Sequence, residues 1–197
     1  EPLHIQWNPA TDEVEVVNYS AGTHKGLTAK VQVLNMDASV AWEKEATVDS
    51  NEDTTDKCIK LEFPENLSKV HFIKMTLTED GKVVSDNFYH RSLEENNYQD
   101  LCQLAKVALQ SATTVDKNAD GTWSAVSVIE NKTSTPALMI RLNVVDGKDD
   151  QQILPVFYSD NYFSLLPGEK KEVRMSWRDE DTRGNEGKVL ITGYNVE

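Results

Sequence analysis

The sequence predicts an all-β protein made of two tandem β-sandwich domains, on three observations. Apolar and polar residues alternate with a period of two along most of the 197 residues. Gly and Asp-Gly turns separate the alternating runs, and the runs are short and frequent. Alternation of this kind puts one face of a strand into a core and the other into water, as in half-buried antiparallel sheets.

Taken in order, Val31 and Val33 alternate with Lys30 and Gln32. Ile59, Leu61 and Phe63 alternate with Lys60 and Glu62, and Ile73, Met75 and Leu77 with Lys74 and Thr76. The pattern returns in Leu138, Ile140, Leu142 and Val144 against Arg141 and Asn143, and in Val173, Met175 and Trp177 against Glu172, Arg174 and Arg178. Glu79-Asp80-Gly81-Lys82, Asn118-Ala119-Asp120-Gly121 and Asp146-Gly147-Lys148 supply the positive φ that hairpins need. Counting gives about seven strands before residue 92 and about seven after 104, and an immunoglobulin-like sandwich takes roughly 100 residues. Two immunoglobulin-like β-sandwich domains, 1–92 and 93–197, are therefore expected. The polar stretch Ser92-Leu93-Glu94-Glu95-Asn96-Asn97 is the candidate linker, and net charge changes across it, from −9 over residues 1–96 to −4 over 97–197. One segment reads two ways. Leu101, Leu104, Ala105, Ala108 and Leu109 recur at helical spacing, so Tyr98 to Gln110 is either a helix or a short helical turn running into a strand from Lys106.

Composition narrows the chemistry. With 33 acidic residues against 20 basic ones, and Lys170-Lys171 the only adjacent basic pair, neither nucleic acid nor an anionic membrane surface is expected as partner, because phosphate contacts need clustered cations. No apolar stretch approaches the roughly 20 residues of a membrane-spanning helix. Cys58 and Cys102 are too few for a disulfide framework and have no zinc-ligand spacing, so both read as inert thiols. The chain opens Glu1-Pro2-Leu3 with neither Met nor a signal segment, which suggests a processed protein or a piece of a longer one.

Local motifs read as structural. Asp116-Lys117-Asn118-Ala119-Asp120-Gly121 reproduces the first half of an EF-hand calcium loop, but Ser127 stands where the bidentate Glu is needed, so a solvated hairpin turn is expected. No His-Glu-x-x-His pair, phosphate-binding glycine loop or Gly-x-Ser-x-Gly elbow occurs. His71 is in phase with Ile73 and Met75 and is expected to face a core, whereas His4, His24 and His90 lie near strand ends or loops. Trp7, Trp42, Trp123 and Trp177 raise the question of a sugar-stacking platform, and the phase of Trp177 with Val173 and Met175 assigns that one to a core. Asn18, Asn66 and Asn131 head Asn-x-Ser/Thr sequons, no more than an Asn-rich chain contains by chance.

Two longer motifs carry a resemblance. Asn131-Lys-Thr-Ser-Thr-Pro136-Ala137-Leu-Met-Ile-Arg141-Leu142, followed by Leu154-Pro155-Val-Phe-Tyr158-Ser159-Asp160-Asn161-Tyr162-Phe163-Ser-Leu-Leu166-Pro167-Gly168-Glu169, resembles the C-terminal immunoglobulin-like domain of glycoside hydrolase family 2 enzymes. The type is that of exo-β-glucosaminidase, β-mannosidase and mannosylglycoprotein endo-β-mannosidase. Pro2-Leu3-His4-Ile5-Gln6, Val16-Val17-Asn18 and Val84-Ser85-Asp86-Asn87-Phe88-Tyr89 resemble the sandwich that precedes it, with Asp86 standing where the family pattern has Arg and Arg91 where that strand ends on an apolar residue.

The resemblance implies an accessory region of a retaining glycosidase acting on a β-mannoside or β-glucosaminide. Its partners would be the parent's own catalytic (β/α) barrel and the parent's carbohydrate substrate, with no cofactor, metal, nucleic acid or membrane, and the parent would be exported to the periplasm or the exterior. The two catalytic glutamates of such enzymes sit on a barrel of about 250 residues with βα alternation, a pattern foreign to this sequence. Asn51-Glu52 and Asn185-Glu186 imitate the acid/base dipeptide but lie in polar loops, so no catalytic residue is assigned. Asp160, Asn161 and Tyr162 are the candidate substrate-binding residues, bordering an outer sugar subsite; the rival reading makes Ser159 to Glu169 a structural lock of turns and packing. The alternatives for the whole chain are a stand-alone carbohydrate-binding module and a structural or adhesive spacer.

Overall fold

A computed structural model describes residues 1–197, which divide into two compact units, Glu1–Gln103 and Leu104–Glu197. The first contains β1 (Leu3–Asn8), β2 (Glu13–Asn18), β3 (His24–Asn35), β4 (Val40–Ser50), β5 (Thr54–Lys60), β6 (Val70–Glu79) and β7 (Lys82–Ser92). A three-stranded sheet in the order β1-β2-β5 faces a four-stranded sheet in the order β4-β3-β6-β7, with every pairing antiparallel. The alternation read from the sequence is what fills the space between them: Val31, Val33, Ile59, Ile73, Met75 and Leu77 are buried in one core with Ile5, Val14, Val16 and Leu27.

The second unit contains β8 (Gln110–Lys117), β9 (Thr122–Glu130), β10 (Ala137–Asp146), β11 (Phe157–Tyr158), β12 (Phe163–Leu165), β13 (Lys170–Arg178) and β14 (Gly187–Thr192). Its sheets run β11-β13-β9-β8 and β12-β10-β14. Ile140, Leu142, Val144, Val173, Met175 and Trp177 meet in its core. Trp177 packs against Gly187, where a Cβ would lie 2.9 Å from Cζ2, so glycine lets the indole close the sandwich.

The ambiguous segment resolves into a 3-10 turn, Gln99–Gln103, followed by irregular chain and a strand that starts at Gln110, later than Lys106. Helical spacing alone does not hold a helix here, because Ala105 and Ala108 are exposed and only Leu101 and Val107 are buried. Val107 instead bridges to Val196, donating its N–H to Asn195 O and accepting from Glu197 N. Residues 93–98 are tied to the first unit: Leu93 N–H donates to Lys69 O, Lys69 pairs with Glu94 at 2.9 Å, and Tyr98 Oη donates to His90 O. The units consequently part after Gln103, past the polar stretch that follows Ser92.

His71 faces inward and is fully buried. Burial, with the Arg91 guanidinium beside it, pushes its pKa below the ordinary histidine value, and the neutral ring donates from Nδ1 to Ser68 O and accepts from Arg91 Nη1 at Nε2, 3.1 Å away.

Candidate functional site

The segment from Ser159 to Phe163 joins β11 to β12 and touches both sheets of its unit. Ser159 N–H donates to Arg174 O, and its Oγ accepts from Arg174 N at 2.9 Å, fastening the segment to β13. Two residues on, Asn161 reaches β10 of the opposite sheet. Its Oδ1 accepts from Leu142 N at 2.9 Å and its Nδ2 donates to Leu142 O at 3.0 Å. A primary amide presents a donor and an acceptor in the geometry of a peptide, so Asn161 replaces a strand residue where β12, only three residues long, no longer covers β10. Tyr158 Oη continues the substitution by accepting from Val144 N. Asp160 is ion-paired with Lys171, and its Oδ1 accepts from Asn161 N. Tyr162 differs from both: φ is +60° and the side chain is 65% exposed, with the Arg141 guanidinium 5.8 Å from the ring centre. A left-handed backbone costs a bulky residue about 1–2 kcal/mol, which the anchored neighbours on either side impose.

The structure therefore brings the three candidate residues onto one connection but gives them different work. Asp160 and Asn161 are engaged by backbone and by Lys171; Tyr162 alone presents its ring to solvent.

A second knot closes the same unit. Asn131, fully buried, donates from Nδ2 to Thr135 O and Leu165 O and accepts at Oδ1 from Thr133 N and Thr133 Oγ1. Gly168, at φ +82°, allows the Pro167-Gly168 turn whose N–H returns to Asn131 O, and Glu169 Oε2 caps Leu166 N. Asn195 acts likewise, accepting from Leu138 N and donating to Ala105 O and Pro136 O.

Sequence reasoning missed the counterparts in the first unit. Asn18 makes the bonds of Asn131, donating to Gly22 O and Ser50 O and accepting from Ser20 N and Ser20 Oγ. Ser85 and Asn87 on β7 clamp β1, with Ser85 Oγ accepting from Ile5 N and Asn87 Nδ2 donating to Ile5 O. A signal was present, since Ser-Asp-Asn followed by two aromatics occurs at 85–89 and again at 159–163.

Other polar clusters imitate reactive sites without their electronics. Ser20 Oγ lies 2.7 Å from His24 Nε2, and His24 Nδ1 lies 2.7 Å from Glu79 Oε1, the order of a nucleophile, base and orienting carboxylate. The Asn18 amide is fixed by its two donor bonds, however, so Ser20 gives its proton to Asn18 Oδ1 at 2.6 Å and meets His24 as an acceptor. A hydroxyl held in that sense is not activated by the ring. Burial pushes the Cys58 thiol up to about 11, which removes the thiolate that reactivity requires. Asp120 Oδ1 binds Thr122 N and Oγ1, and Asn118 Nδ2 binds Thr122 Oγ1, so the calcium-like loop is a hairpin turn closed on itself. Glu52 accepts from Gly22 N and Asn185 donates to Asp146, so each glutamate-bearing dipeptide sits in a turn network.

All four tryptophans pack at least in part against a core, and none is among the exposed large apolar residues. Trp177 is core. Trp123 lies parallel to it at 6.4 Å, carries Lys117 Nζ on its ring at 5.3 Å and donates Nε1–H to Asp179 at 2.7 Å. Trp7 is held edge-to-face by Phe63 and Tyr89, and Trp42 packs against the first core.

The exo-β-D-glucosaminidase Ig-fold domain matches residues 87–196, and the mannosidase Ig/CBM-like domain matches 12–92. The exo-β-D-glucosaminidase of Streptomyces avermitilis is 30% identical over 220 residues, covering all of this chain and 24% of the relative. The mannosylglycoprotein endo-β-mannosidase of Lilium longiflorum is 23% identical over 257 residues, 99% of this chain and 27% of its own length. Among solved structures, the Amycolatopsis orientalis exo-chitosanase CsxA superposes over the whole chain with a TM-score of 0.93 and 27% identity, using 26% of that protein. A β-D-mannosidase from Dictyoglomus thermophilum, at 14% identity and a TM-score of 0.65, shares the fold. The chain spans about a quarter of the length of the curated relatives it matches. Two sandwiches closed by asparagine knots, a family match across more than half of the residues and superposition from end to end lead to one conclusion: this chain belongs to the exo-β-D-glucosaminidase immunoglobulin-fold domain family.

Proposed function

We propose that the chain is the accessory β-sandwich region of a family 2 glycoside hydrolase acting on β-linked glucosaminides or mannosides, that it supports the parent's catalytic barrel, and that it performs no hydrolysis itself. The observation that carries this reading is the superposition of all 197 residues on one quarter of an exo-chitosanase. The amide clamps serve such a role, since they fix strand edges without spending core volume. Leu154 and Phe157, exposed by 63% and 70%, lie three residues apart in the second unit, and exposed apolar side chains near one another mark contact surfaces; we assign the barrel to them.

The test is a chimera in which this chain replaces the matching region of the Amycolatopsis orientalis enzyme. An active chimera that loses thermal stability on Phe157→Asp is expected. An isolated chain that turns over a β-glucosaminide, or a chimera indifferent to Phe157→Asp and Leu154→Asp together, overturns the reading.

Of the three candidate subsite residues we assign sugar contact to Tyr162, because it is exposed while Asp160 and Asn161 are engaged internally. In the chimera, Tyr162→Ala is expected to raise KM for chitosan oligosaccharides several-fold with kcat unchanged, since an outer contact binds substrate and transition state alike. Unchanged KM removes Tyr162 from the subsite.

A further inference from the structure

The three Asn-x-Ser/Thr sequons are equivalent in sequence and sharply unequal in the fold. Asn18 and Asn131 are fully buried, and both amide hydrogens of each are spent on carbonyl oxygens of the surrounding chain. A sugar on either nitrogen would remove one of those bonds and force a bulky polar group into a space with no opening to water. Asn66 is the reverse case. It is exposed, on the two-residue turn Glu65–Asn66 between β5 and β6, and beside it lies an open depression bordered by Asn35, Met36, Asp37, Leu67 and Ser68. The rest of its sequon is anchored. Leu67 is buried, Ser68 N–H donates to Asn35 Oδ1, and Ser68 Oγ accepts from Met36 N and donates to Val70 O. A substituent on the exposed Asn66 meets solvent, and presenting the Ser68 hydroxyl to a transferase costs the two bonds it makes to Met36 and Val70.

We propose that Asn66 is an N-linked glycan acceptor of the folded protein, the donor being a sugar activated as a diphosphate, and that Asn18 and Asn131 are closed to the same chemistry by their hydrogen bonds. In the transfer, Asn66 Nδ2 forms a bond to the anomeric carbon of the sugar and gives up a proton, which the departing diphosphate takes up. The bond from that carbon to the diphosphate breaks, and the diphosphate leaves with the electron pair. No redox partner is involved. The assignment rests on the exposure and bonding of the three asparagines and is independent of the barrel-support reading.

The experiment offers the purified, folded chain to a soluble N-glycosyltransferase with UDP-glucose and maps hexose additions by peptide mass spectrometry. Synthetic peptides spanning residues 14–24, 62–72 and 127–137 serve as unfolded references for the three sequons. Addition at Asn66 alone is expected in the folded chain, with all addition lost in Asn66→Gln, while Asn18 and Asn131 are modified only in their peptides. Asn66→Gln alters one exposed side chain, so its folding is checked simply by an unchanged unfolding midpoint. Failure of the folded chain to accept hexose at Asn66 when its peptide does, or modification of Asn18 or Asn131 at a comparable rate in the folded chain, overturns the proposal.

Discussion

Each unit ends one of its strands on a buried asparagine, and the two asparagines make the same four bonds. Asn18 closes β2 and Asn131 follows β9; each accepts from the N–H and hydroxyl of the residue two positions on, and each donates to the carbonyl four positions on and to one from a distant part of its unit. The second device differs between the units. On β7, Ser85 and Asn87 stand two apart on a regular strand and take the N–H and C=O of Ile5 separately. Between β11 and β12, Asn161 takes both groups of Leu142 by itself, at the cost of a left-handed Tyr162. An uncovered strand edge can thus be satisfied by two side chains on straight backbone or by one amide on strained backbone.

The largest effect that tests the comparison is removal of a knot. Asn18→Ala and Asn131→Ala each strand buried carbonyls and amides, and at about 1–3 kcal/mol per unsatisfied group each is expected to cost its own unit about 4 kcal/mol, read from urea unfolding resolved by hydrogen exchange of peptides from each unit. A loss confined to one of the two would break the equivalence. The clamps come next. Asn161→Ala orphans two groups and is expected to cost about 3 kcal/mol, whereas Asn87→Ala orphans one and costs about 1 kcal/mol; equal losses would mean that the left-handed turn, and not the amide, sets the second unit's stability.

The smallest contrast is in pH. All four histidines lie in the first unit, and burial lowers the pKa of His71 and of His90, the latter packed against Phe72 and Phe88. A base whose folded pKa is depressed binds more protons when unfolded. Its stabilising contribution is therefore complete above the unfolded value of about 6.5 and is lost as pH falls below it toward the folded value. Between pH 7 and 5.5 the first unit is expected to lose protection against hydrogen exchange while the second, lacking histidine, keeps it. Parallel losses in both units would point to carboxylates instead.

Much of this architecture was legible in the residues. Period-two alternation gave the strands, their faces and their approximate number, because a half-buried sheet leaves that pattern whatever its partners are. His71 and Trp177 were placed correctly by phase alone, and the resemblance at 131–142 and 154–169 named the family. The stretch 98–110 left a helix and a short helical turn leading into a strand open; the turn formed, with the strand starting at Gln110 instead of Lys106, because Leu101, Leu104, Ala105 and Ala108 have the spacing of a helix without a common surface to bury them. The candidate residues were legible as a group but not in their roles, since nothing in Asp160-Asn161-Tyr162 distinguishes the amide that faces a strand from the ring that faces water.

By itself, the order of apolar and polar residues determined two β-sandwiches, since each short alternating run has one solution for its own solvation. Only the tertiary structure decided which asparagines are knots, which is a clamp and which stands open. An amide's partners lie as far as 90 residues away along the chain, and a side chain that bonds equally well to water or to backbone takes its role from whichever of them the fold puts beside it.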